Sequence, residues 1–380
     1  MAMACTEVAV LGWDIGGAHL KVVALDAAGR PQAAYQMPCA LWRGLDQLEG
    51  ALEQALARLP AGASAAHQAV TMTGELADLF ADRNEGVQRI LAVLGRRLGE
   101  DRLHVFAGER GFVKPAAAAG CAADVASANW WATAQLVASL CGEALLVDIG
   151  STTTDLVAVR AGRVDALGHN DFERLVSGEL VYTGVARTPL MSIAPAIEFE
   201  AHQVPLMAEH FATTADVYRL TGELDERCDQ HPAADAGPKT AKASAQRLAR
   251  MIGRDAHELP TARWQALAES FRAAQLARIQ HGAQQVLARV AIAPAAPCVA
   301  AGSGAFLVRE LARTLRRPLV EFVQLLDLQG DEAKAFSVCA PATAVAILAL
   351  RACDAQRGHP PASPVPPGRG VGGEGPREEK

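Results

Sequence analysis

The chain contains one pattern twice, as LGWDIGGAHLKVVAL at residues 11–25 and as LLVDIGSTTTDLVAV at residues 145–159. Each copy is an apolar run that ends in Asp-Ile-Gly, then a turn of small residues, then a second apolar run. This order predicts a β-hairpin with a carboxylate at its tip, Asp14 in the first copy and Asp148 in the second. Two matching hairpins in one chain predict two related domains that face each other across a cleft.

The composition indicates a soluble α/β protein that is large enough for two domains. Of its 380 residues 50% are apolar, 21% are charged and 5% are aromatic, and the formal net charge is −6. This acidic balance argues against a nucleic-acid-binding surface. No apolar run approaches the roughly 20 residues of a membrane-spanning helix, and the first residues lack the pattern of a secretory signal. The eight cysteines have no paired spacing, so we expect a cytoplasmic protein with reduced thiols that binds no membrane.

Composition and periodicity divide the chain into two domains and a tail. Residues 1–140 are predicted to form the first domain and residues 141–340 the second, with a loop-rich insertion at about 168–235. The apolar helix predicted at 341–356 is expected to pack back on the first domain. Residues 357–380 are rich in Pro, Gly and Glu, which predicts disorder. The apolar helices fit a domain core and a subunit interface equally well, so a homo-oligomer remains open.

A long apolar helix is predicted at Ala122–Leu140, where it would carry the chain from the first domain to the second. Its adjacent tryptophans, Trp130 and Trp131, are expected to pack in the core, with a ligand contact as the alternative.

The hairpin tips are suited to hold a metal ion and phosphate groups. Asp14 and Asp148 can bind Mg²⁺ directly or through water, while backbone N–H groups at the turns cradle phosphate oxygens. The candidate phosphate-binding residues of the two tips are Gly16, Gly17, Lys21, Gly150, Ser151, Thr152 and Thr153. A single Asp-x-Gly segment is typical of an ordinary turn, and Lys21 also fits a solvated strand. The second copy, with its run of hydroxyls, favours a clamp that grips a polyphosphate from both sides.

A third glycine-rich element follows later in the chain, in CVAAGSGAFLV at residues 298–308. Its pattern predicts a short strand, a turn and the beginning of a helix, and a helix N-terminus is a favourable place for an anion or a nucleotide. Gly302, Ser303 and Gly304 are therefore further candidates for phosphate binding.

Several motifs resemble known families. The two hairpins followed by the AGSG turn resemble the actin, Hsp70 and sugar-kinase superfamily. DIGSTTTDL at 148–156 and SGELVYTGVARTPL at 177–190 are similar to its hydantoinase A/5-oxoprolinase branch. TGELADLFADRNEGV at 73–87, FATTADVYRLTGEL at 211–224 and HPAADAGPKTAKASAQRLARMIG at 231–253 resemble a short family within that branch. That family is linked to tetrahydromethanopterin-dependent one-carbon metabolism and includes the methanofuran-biosynthesis synthase.

The resemblance covers about residues 8–355, and it implies a fold, a reaction and a cofactor. The fold is α/β, with two duplicated actin-like (ribonuclease H-like) domains around a central cleft. The reaction joins an aminomethylfuran-methyl diphosphate to the phenol of γ-glutamyltyramine and releases diphosphate, so the substrates are small molecules. Mg²⁺ near Asp14 and Asp148 would neutralise the leaving group. Loops that bind ATP elsewhere in the superfamily would hold the substrate diphosphate here, and bound ATP stays an alternative.

The acceptor phenol has a usual pKa near 10, so a base would help its attack. Glu75 and Glu179 are the candidate catalytic bases, and each also fits an ordinary turn. Arg187 is a candidate substrate-binding residue, because its planar fork can pair with a glutamate carboxylate or a phosphate. Tyr182 is a second one that would line the same pocket, with a structural role as the alternative.

Other interpretations of the sequence remain open. The second function is an ATP-dependent enzyme, either a small-molecule kinase or a hydantoinase/oxoprolinase-like amidohydrolase, and the third is a non-enzymatic nucleotide-binding module. His19 is expected to support the first loop, and Asp155 fits contact with solvent or with Mg²⁺. Cys228, His231 and Asp235 lack the second ligand pair of a zinc site, which favours a solvated loop over a metal centre.

Overall fold

Two mixed β-sheets with the same central design form the framework of the protein, in a computed structural model that describes residues 7–60 and 62–356. The first sheet contains β1 (Val8–Ile15), β2 (His19–Asp26), β3 (Pro31–Pro38), β4 (His67–Met72), β5 (Leu103–Phe106) and β6 (Phe112–Val113). These strands lie in the order β3-β2-β1-β4-β5-β6, with β1 antiparallel to β2 and parallel to β4. The predicted hairpin is thus the centre of the sheet.

The second sheet repeats this arrangement. The remaining strands are β7 (Ala144–Ile149), β8 (Thr154–Arg160), β9 (Arg163–Asp165), β10 (Leu180–Val181), β11 (Ala196–Phe199), β12 (His202–Pro205), β13 (Cys298–Ala301) and β14 (Leu319–Glu321). The order in the second sheet is β10-β8-β7-β13-β14, with β9 beside β8, while β11 and β12 form a separate hairpin. Asp14 pairs with Lys21 in the first sheet, and Asp148 pairs with Asp155 at the matching position of the second. The predicted α/β fold with two duplicated halves is confirmed.

Twelve α-helices cover the sheets in the described part of the chain. They are α1 (Leu45–Arg58), α2 (Arg83–Leu94), α3 (Pro115–Ala118), α4 (Ala122–Val125), α5 (Asn129–Leu140), α6 (Asp171–Ser177), α7 (Thr214–Thr221), α8 (Ala241–Met251), α9 (Thr261–Arg289), α10 (Ala305–Thr314), α11 (Asp331–Val338) and α12 (Ala340–Gln356). Each half has its own apolar core, and a third core joins α5 and α12 to buried faces of both sheets. These two helices therefore form a layer that the two halves share.

The helix α12 packs on strands β1, β2 and β4 of the first sheet and against α5. The approach to β1 is so close that a Cβ atom built on Gly12 would lie 2.0 Å from the carbonyl oxygen of Ala342. Only glycine allows this contact. The first residues of α12 bring Pro341 to the lining of the cleft between the halves.

The predicted continuous helix over Ala122–Leu140 is wrong, because the structure has two helices there, α4 and α5. The break falls at Ser127, whose φ of 52° lies in the left-handed region. Its hydroxyl donates a hydrogen bond to Glu75 or to Asp171, at 3.0 and 3.2 Å. These partners come from distant parts of the chain, so the apolar periodicity of the segment does not reveal the break.

The segment 168–235, predicted to be rich in loops, contains two helices, the β11–β12 hairpin and strand β10. It also contacts the first half of the molecule. Gln230 donates a side-chain hydrogen bond to the carbonyl of Gln36 at 3.0 Å, and His231 Nε2 lies 2.7 Å from the carbonyl of Ala18. The segment therefore bridges the two halves beside the first hairpin tip.

A helix that crosses a membrane must be long and apolar, and this bears on the helices within residues 7–60 and 62–356. No single helix there is long and apolar enough to cross a membrane. The stretches Glu332–Val338 and Ala340–Ala355 meet the criteria only together, as a pair bent by 89°.

Candidate active site

A cavity of about 550 Å³ lies between the two halves, where the two hairpin tips face each other. Its lining contains most of the residues that the sequence predicts for the site. They are Asp14, Gly16, Gly17, Lys21, Asp148, Gly150, Ser151, Thr152, Thr153, Tyr182 and Arg187. The cavity is thus lined from both halves by loops with small and polar side chains.

The two hairpin tips are closed in the same way. The N–H of Gly16 donates to the carbonyl of His19 at 2.9 Å, and the N–H of Gly150 donates to the carbonyl of Thr153 at 2.8 Å. The second tip is also covered from behind, since a Cβ atom on Gly184 would lie 2.4 Å from the backbone of Thr152. Tight closure leaves room for a bulky anion in front of each tip.

Three carboxylates are buried together at the base of this cavity, on Asp14, Asp148 and Asp155. Lys21 Nζ lies 3.7 Å from Asp14 Oδ2, and Arg174 Nη1 donates to Asp155 Oδ1 at 2.9 Å. The other oxygen of Asp14, Oδ1, is buried and has no hydrogen-bond partner. A buried carboxylate oxygen without a partner is costly, so this group is prepared for a cation.

The protonation behaviour of the three acids reflects this crowding. Burial and, to a smaller extent, the neighbouring charge of Asp155 raise the pKa of Asp148 to about 7. Burial also raises the pKa of Asp14 and of Asp155, although Lys21 and Arg174 oppose this effect. Burial lowers the pKa of Lys21, but the neighbouring acidic groups, with Asp14 first among them, together outweigh it, and the net change is upward. The three acids can therefore carry more negative charge than Lys21 and Arg174 neutralise.

The donor set fits a divalent cation of the Mg²⁺ type, which prefers carboxylate oxygens and keeps several of its waters. Within the described part of the chain, these acids do not form a group of three with all ligand atoms within 4.8 Å of one another. Contact through water therefore suits the arrangement better than direct binding by all three. Asp14 and Asp148 would hold such an ion from opposite halves.

The hydroxyl run beside Asp148 divides into two parts. Ser151 Oγ is buried and has no hydrogen-bond partner, and Thr152 Oγ1 lies 3.3 Å from Arg187 Nη1. Thr154 instead donates to the carbonyl of Thr183 at 2.7 Å, away from the cavity lining. Ser151, Thr152 and Thr153 are thus the hydroxyls that an anion in the cavity can reach.

Arg187 lies between this cavity and a second one of about 260 Å³. Its guanidinium carbon is 4.9 Å from the ring centroid of Trp42, and both residues line both cavities. Burial lowers the pKa of Arg187. Over residues 7–60 and 62–356, no carboxylate forms an ion pair with this arginine. A half-buried cation without an acidic partner is a natural site for an anionic substrate group.

Comparison with known proteins shows which family this sequence belongs to. Residues 67–321 match the family model described as hydantoinase/oxoprolinase. The chain belongs to the hydantoinase/oxoprolinase family. The match begins at the strand before Glu75 and includes the second hairpin, the bridging segment and the glycine turn.

Two archaeal relatives share the name (4-{4-[2-(γ-L-glutamylamino)ethyl]phenoxymethyl}furan-2-yl)methanamine synthase. The one from Methanocaldococcus jannaschii is 31% identical over 250 residues, which are 66% of this chain and 73% of that protein. The one from Methanococcus vannielii is 33% identical over 118 residues, 30% of this chain and 51% of that protein. Both proteins are similar to this chain in sequence.

A solved structure with the same fold is the nucleotide-free acetone carboxylase from a study of ATP-dependent acetone carboxylation. It aligns with a TM-score of 0.53 and 10% identity over 88% of this chain and 70% of that chain. The likeness shows a shared fold. It agrees with the duplicated sheets and the central cleft.

In this member of the hydantoinase/oxoprolinase family, Glu75 lies directly behind the wall of the cavity. It is only 1% exposed, and Oε1 lies 3.0 Å from the hydroxyl of Ser127, which lines the cavity. The other oxygen, Oε2, is buried without a partner. Burial is the main reason that the pKa of Glu75 is raised. The carboxyl group is one hydroxyl away from the cavity.

Sequence patterns did not identify Asp171, which completes this arrangement. It lines the cavity, lies 3.2 Å from Ser127 Oγ, and accepts a hydrogen bond from Arg83 at 2.6 Å. Because a hydroxyl has one proton, Ser127 cannot donate to Glu75 and Asp171 at once. Both contacts are satisfied when Glu75 carries a proton and donates to Ser127, which then donates to Asp171.

Glu179, the second candidate base, does not line the cavity. Its buried carboxylate accepts hydrogen bonds from the N–H groups of Leu167 at 2.8 Å and Gly168 at 2.9 Å, and it also binds Ser177 and Arg289. All these donors hold the carboxyl group in place. In the structure Glu179 therefore anchors the chain near β10, and it does not lie where a base in the cavity is expected.

The glycine turn after β13 also lies outside the lining of the cavity. Gly302 has a φ of 83°, and a Cβ atom there would lie 2.4 Å from Asp148 Oδ1. The N–H of Gly304 donates to the carbonyl of Ile149 at 2.8 Å. The turn therefore supports Asp148 from behind, and phosphate binding by Gly302, Ser303 and Gly304 stays a prediction.

Arg174 is a further site residue that sequence reasoning missed. It is 1% exposed, and its guanidinium carbon lies 3.8 Å from the ring centroid of Trp130. Both residues line the cavity. Trp130 is buried as expected, but it holds the arginine that binds Asp155.

The Cys228, His231 and Asp235 group is not a metal site among the described residues. Asp235 pairs with Arg247 at 3.0 Å, while His231 contacts the first hairpin through Ala18. The His231 ring lies 4.9 Å from that of His19. Burial lowers the pKa of His19 well below its usual value, so this residue supports the tip as a neutral ring.

Proposed function

We propose that this protein is a transferase that joins a furan-methyl diphosphate to the phenol of γ-glutamyltyramine or a close analogue. The reaction belongs to methanofuran-type one-carbon cofactor biosynthesis. The observation that carries the proposal is the two-sided cavity, in which buried acids and phosphate-sized loops lie beside an unpaired arginine. The name of the archaeal relatives supplies the substrates, since their product contains a phenoxymethyl-furan ether and a γ-glutamyl amide.

The bond changes define what the site must do. The bond between the furan-methyl carbon and the diphosphate oxygen breaks, and its electron pair leaves with the diphosphate. The phenol oxygen forms the new ether bond to that carbon and loses its proton. The furan ring oxygen delocalises the positive charge that develops on the methyl carbon. Catalysis therefore requires stabilisation of the leaving diphosphate and removal of one proton.

The hairpin tips bind the leaving group. Lys21 places a positive charge beside Asp14, and Ser151, Thr152 and Thr153 offer hydroxyl groups on the other side. Bound Mg²⁺, held by Asp14 and Asp148, would supply the additional positive charge that a diphosphate requires. Because the loops hold the substrate diphosphate, the reaction needs no ATP.

The acceptor binds beside the second hairpin tip, where Arg187 lies 3.3 Å from Thr152. Arg187 pairs with the α-carboxylate of the γ-glutamyl group, held in position by its contact with Trp42. The exposed ring of Tyr182 lines the same region. Asp171 takes the phenol proton, and Arg83 and Ser127 fix its carboxylate, with protonated Glu75 in turn donating to Ser127.

The direct test combines purified full-length protein with Mg²⁺, a furan-methyl diphosphate and γ-glutamyltyramine, with and without ATP. Product mass and released diphosphate are followed together. We expect the release of one diphosphate for each ether formed. The reaction should proceed without ATP and should stop in excess EDTA. Ether that appears only with ATP would favour an ATP-dependent kinase-like or amidohydrolase-like enzyme. Absence of the ether under every condition would overturn the proposed function.

A further inference from the structure

A second cluster of metal-ligating side chains lies at the other end of the first sheet. His67 begins β4, His104 lies in β5, and Cys353 is near the end of α12. Strand β4 runs from His67 toward Thr73, which lines the cavity, so the cluster lies roughly 20 Å away at about 3.3 Å per residue. It is therefore separate from the acids of the cleft.

The geometry of this cluster fits a metal ion. His67 Nδ1 and His104 Nε2 are 3.2 Å apart, and the rings meet at 60°. One ligand atom from each of the three residues lies within 4.8 Å of the others. In a tetrahedral zinc site with Zn–N distances of about 2.0–2.1 Å, two nitrogens are about 3.3 Å apart and a sulfur is about 3.6 Å from each. The observed separation of the two nitrogens, 3.2 Å, agrees with this value.

The chemistry of the ligands selects a different ion from that of the cleft. Two imidazoles and a thiolate are typical ligands for Zn²⁺ and other borderline or soft transition metals, whereas carboxylates select Mg²⁺. Metal binding requires the neutral imidazole of each histidine and the thiolate of the cysteine. All three residues are half-buried, so an ion can enter from solvent.

We propose that His67, His104 and Cys353 form a binding site for a transition-metal ion of the Zn²⁺ type. Three protein ligands leave a fourth position for water. The ion joins the last turns of α12 to strands β4 and β5 and so fixes this helix on the first half.

The position of α12 gives this site a structural purpose. The helix extends roughly 18 Å from Pro341 in the cleft lining to Cys353, at 1.5 Å per residue. On the way, Arg351 donates to the hydroxyl of Ser139 in α5 at 2.8 Å. A metal at its far end would hold the helix that both halves share.

The test uses the full-length protein, stripped of metal and titrated with Zn²⁺ against a chromophoric chelator. We expect one equivalent to bind in the wild type and to be lost in Cys353→Ser and in His104→Gln. Cys141→Ser, which changes another half-buried thiol, is the matched control and should keep the site. Bound Zn²⁺ should raise the melting temperature of the wild type and of this control, but not of the other two variants.

Substitution with Co²⁺ separates this site from the acids of the cleft. Thiolate ligation gives a charge-transfer band in the near ultraviolet, which Asp14 and Asp148 cannot produce. The band should be present in the wild type and in Cys141→Ser, and absent in Cys353→Ser. His104→Gln, which retains the thiol, serves as the second variant if the cysteine variant fails to fold. Equal metal binding in all variants, or no thiolate band in the wild type, would overturn the proposal and leave a simple contact between the two rings.

Discussion

Replacement of Asp148 by asparagine should stabilise the metal-free protein while it stops the reaction. Burial and the neighbouring acids raise the pKa of this carboxyl from its usual 3.8 to about 7. At about 1.36 kcal/mol per pH unit, this difference corresponds to about 4 kcal/mol of free energy. Asparagine has a similar shape and carries no charge, and Lys21 keeps its partner Asp14 at 3.7 Å.

The sign follows from proton binding. Between about pH 4 and pH 7 the folded protein keeps a proton on Asp148 that the unfolded chain has released, so unfolding releases a proton. Stability therefore falls as the pH rises through this window, and it falls no further above pH 7. Asparagine does not titrate, so Asp148→Asn does not lose stability in this way as the pH rises. Relative to wild type, it should gain up to about 4 kcal/mol between pH 4 and pH 8 in the absence of Mg²⁺.

The assay is urea-induced unfolding in EDTA at pH 5 and pH 8, followed by fluorescence. Asp101→Asn, which changes an exposed carboxylate of the first half, is the control and should leave the pH dependence unchanged. Addition of Mg²⁺ should stabilise the wild type and have little effect on Asp148→Asn. Turnover of the variant should fall by about 100-fold or more. The reasoning is refuted if the stability difference between variant and wild type does not grow from pH 5 to pH 8.

Three further substitutions test the roles of other residues. Asp171→Asn should lower kcat by roughly 100-fold with little change in KM for the diphosphate substrate, measured by steady-state kinetics, because the phenol loses its base. Arg187→Lys should raise KM for the acceptor by about tenfold, also by steady-state kinetics, since an ammonium cannot make the paired contact or the stacking on Trp42. Glu179→Gln should cost about 3 kcal/mol in urea-induced unfolding and leave kcat of the folded fraction nearly unchanged, because its buried ion pair with Arg289 is broken.

Each of these expectations has an opposing result. Full activity of Asp171→Asn would remove the base from the proposed reaction. A larger effect of Arg187→Lys on the diphosphate substrate than on the acceptor would move this arginine to the leaving group. Wild-type stability of Glu179→Gln, together with lost turnover, would return that residue to catalysis.

The hairpin tips could be predicted from sequence because their signals are local. Strand alternation, the Asp-Ile-Gly end and the small residues of the turn lie within fifteen residues, and the second copy confirms the first. Asp14 and Asp148 therefore lie in the cavity as the pattern indicates. Lys21 follows from the same register, since it pairs with Asp14 across the hairpin.

Other parts of the site depend on contacts that no local pattern records. Asp171 and Arg174 lie one turn apart on α6, and their roles appear only when that helix reaches Arg83 and Asp155. Ser127 breaks an apolar segment that has the periodicity of one helix, because its distant partners determine the backbone there. Glu75 and Glu179 follow the same Gly-Glu pattern, and only burial and hydrogen bonding separate their roles.

The charge of the cavity explains how this fold could hold the diphosphate substrate that we propose. Free diphosphate meets buried acids of the same sign, and a free divalent cation meets Lys21 and Arg174 beside those acids. Neither ion alone balances the site, whereas a metal–diphosphate pair supplies both signs at the two hairpin tips. Nothing in that balance requires an adenosine group. In the reaction that we propose, the same loops would hold the substrate as a metal complex, and Arg187 and Asp171 would select a phenol that carries a carboxylate.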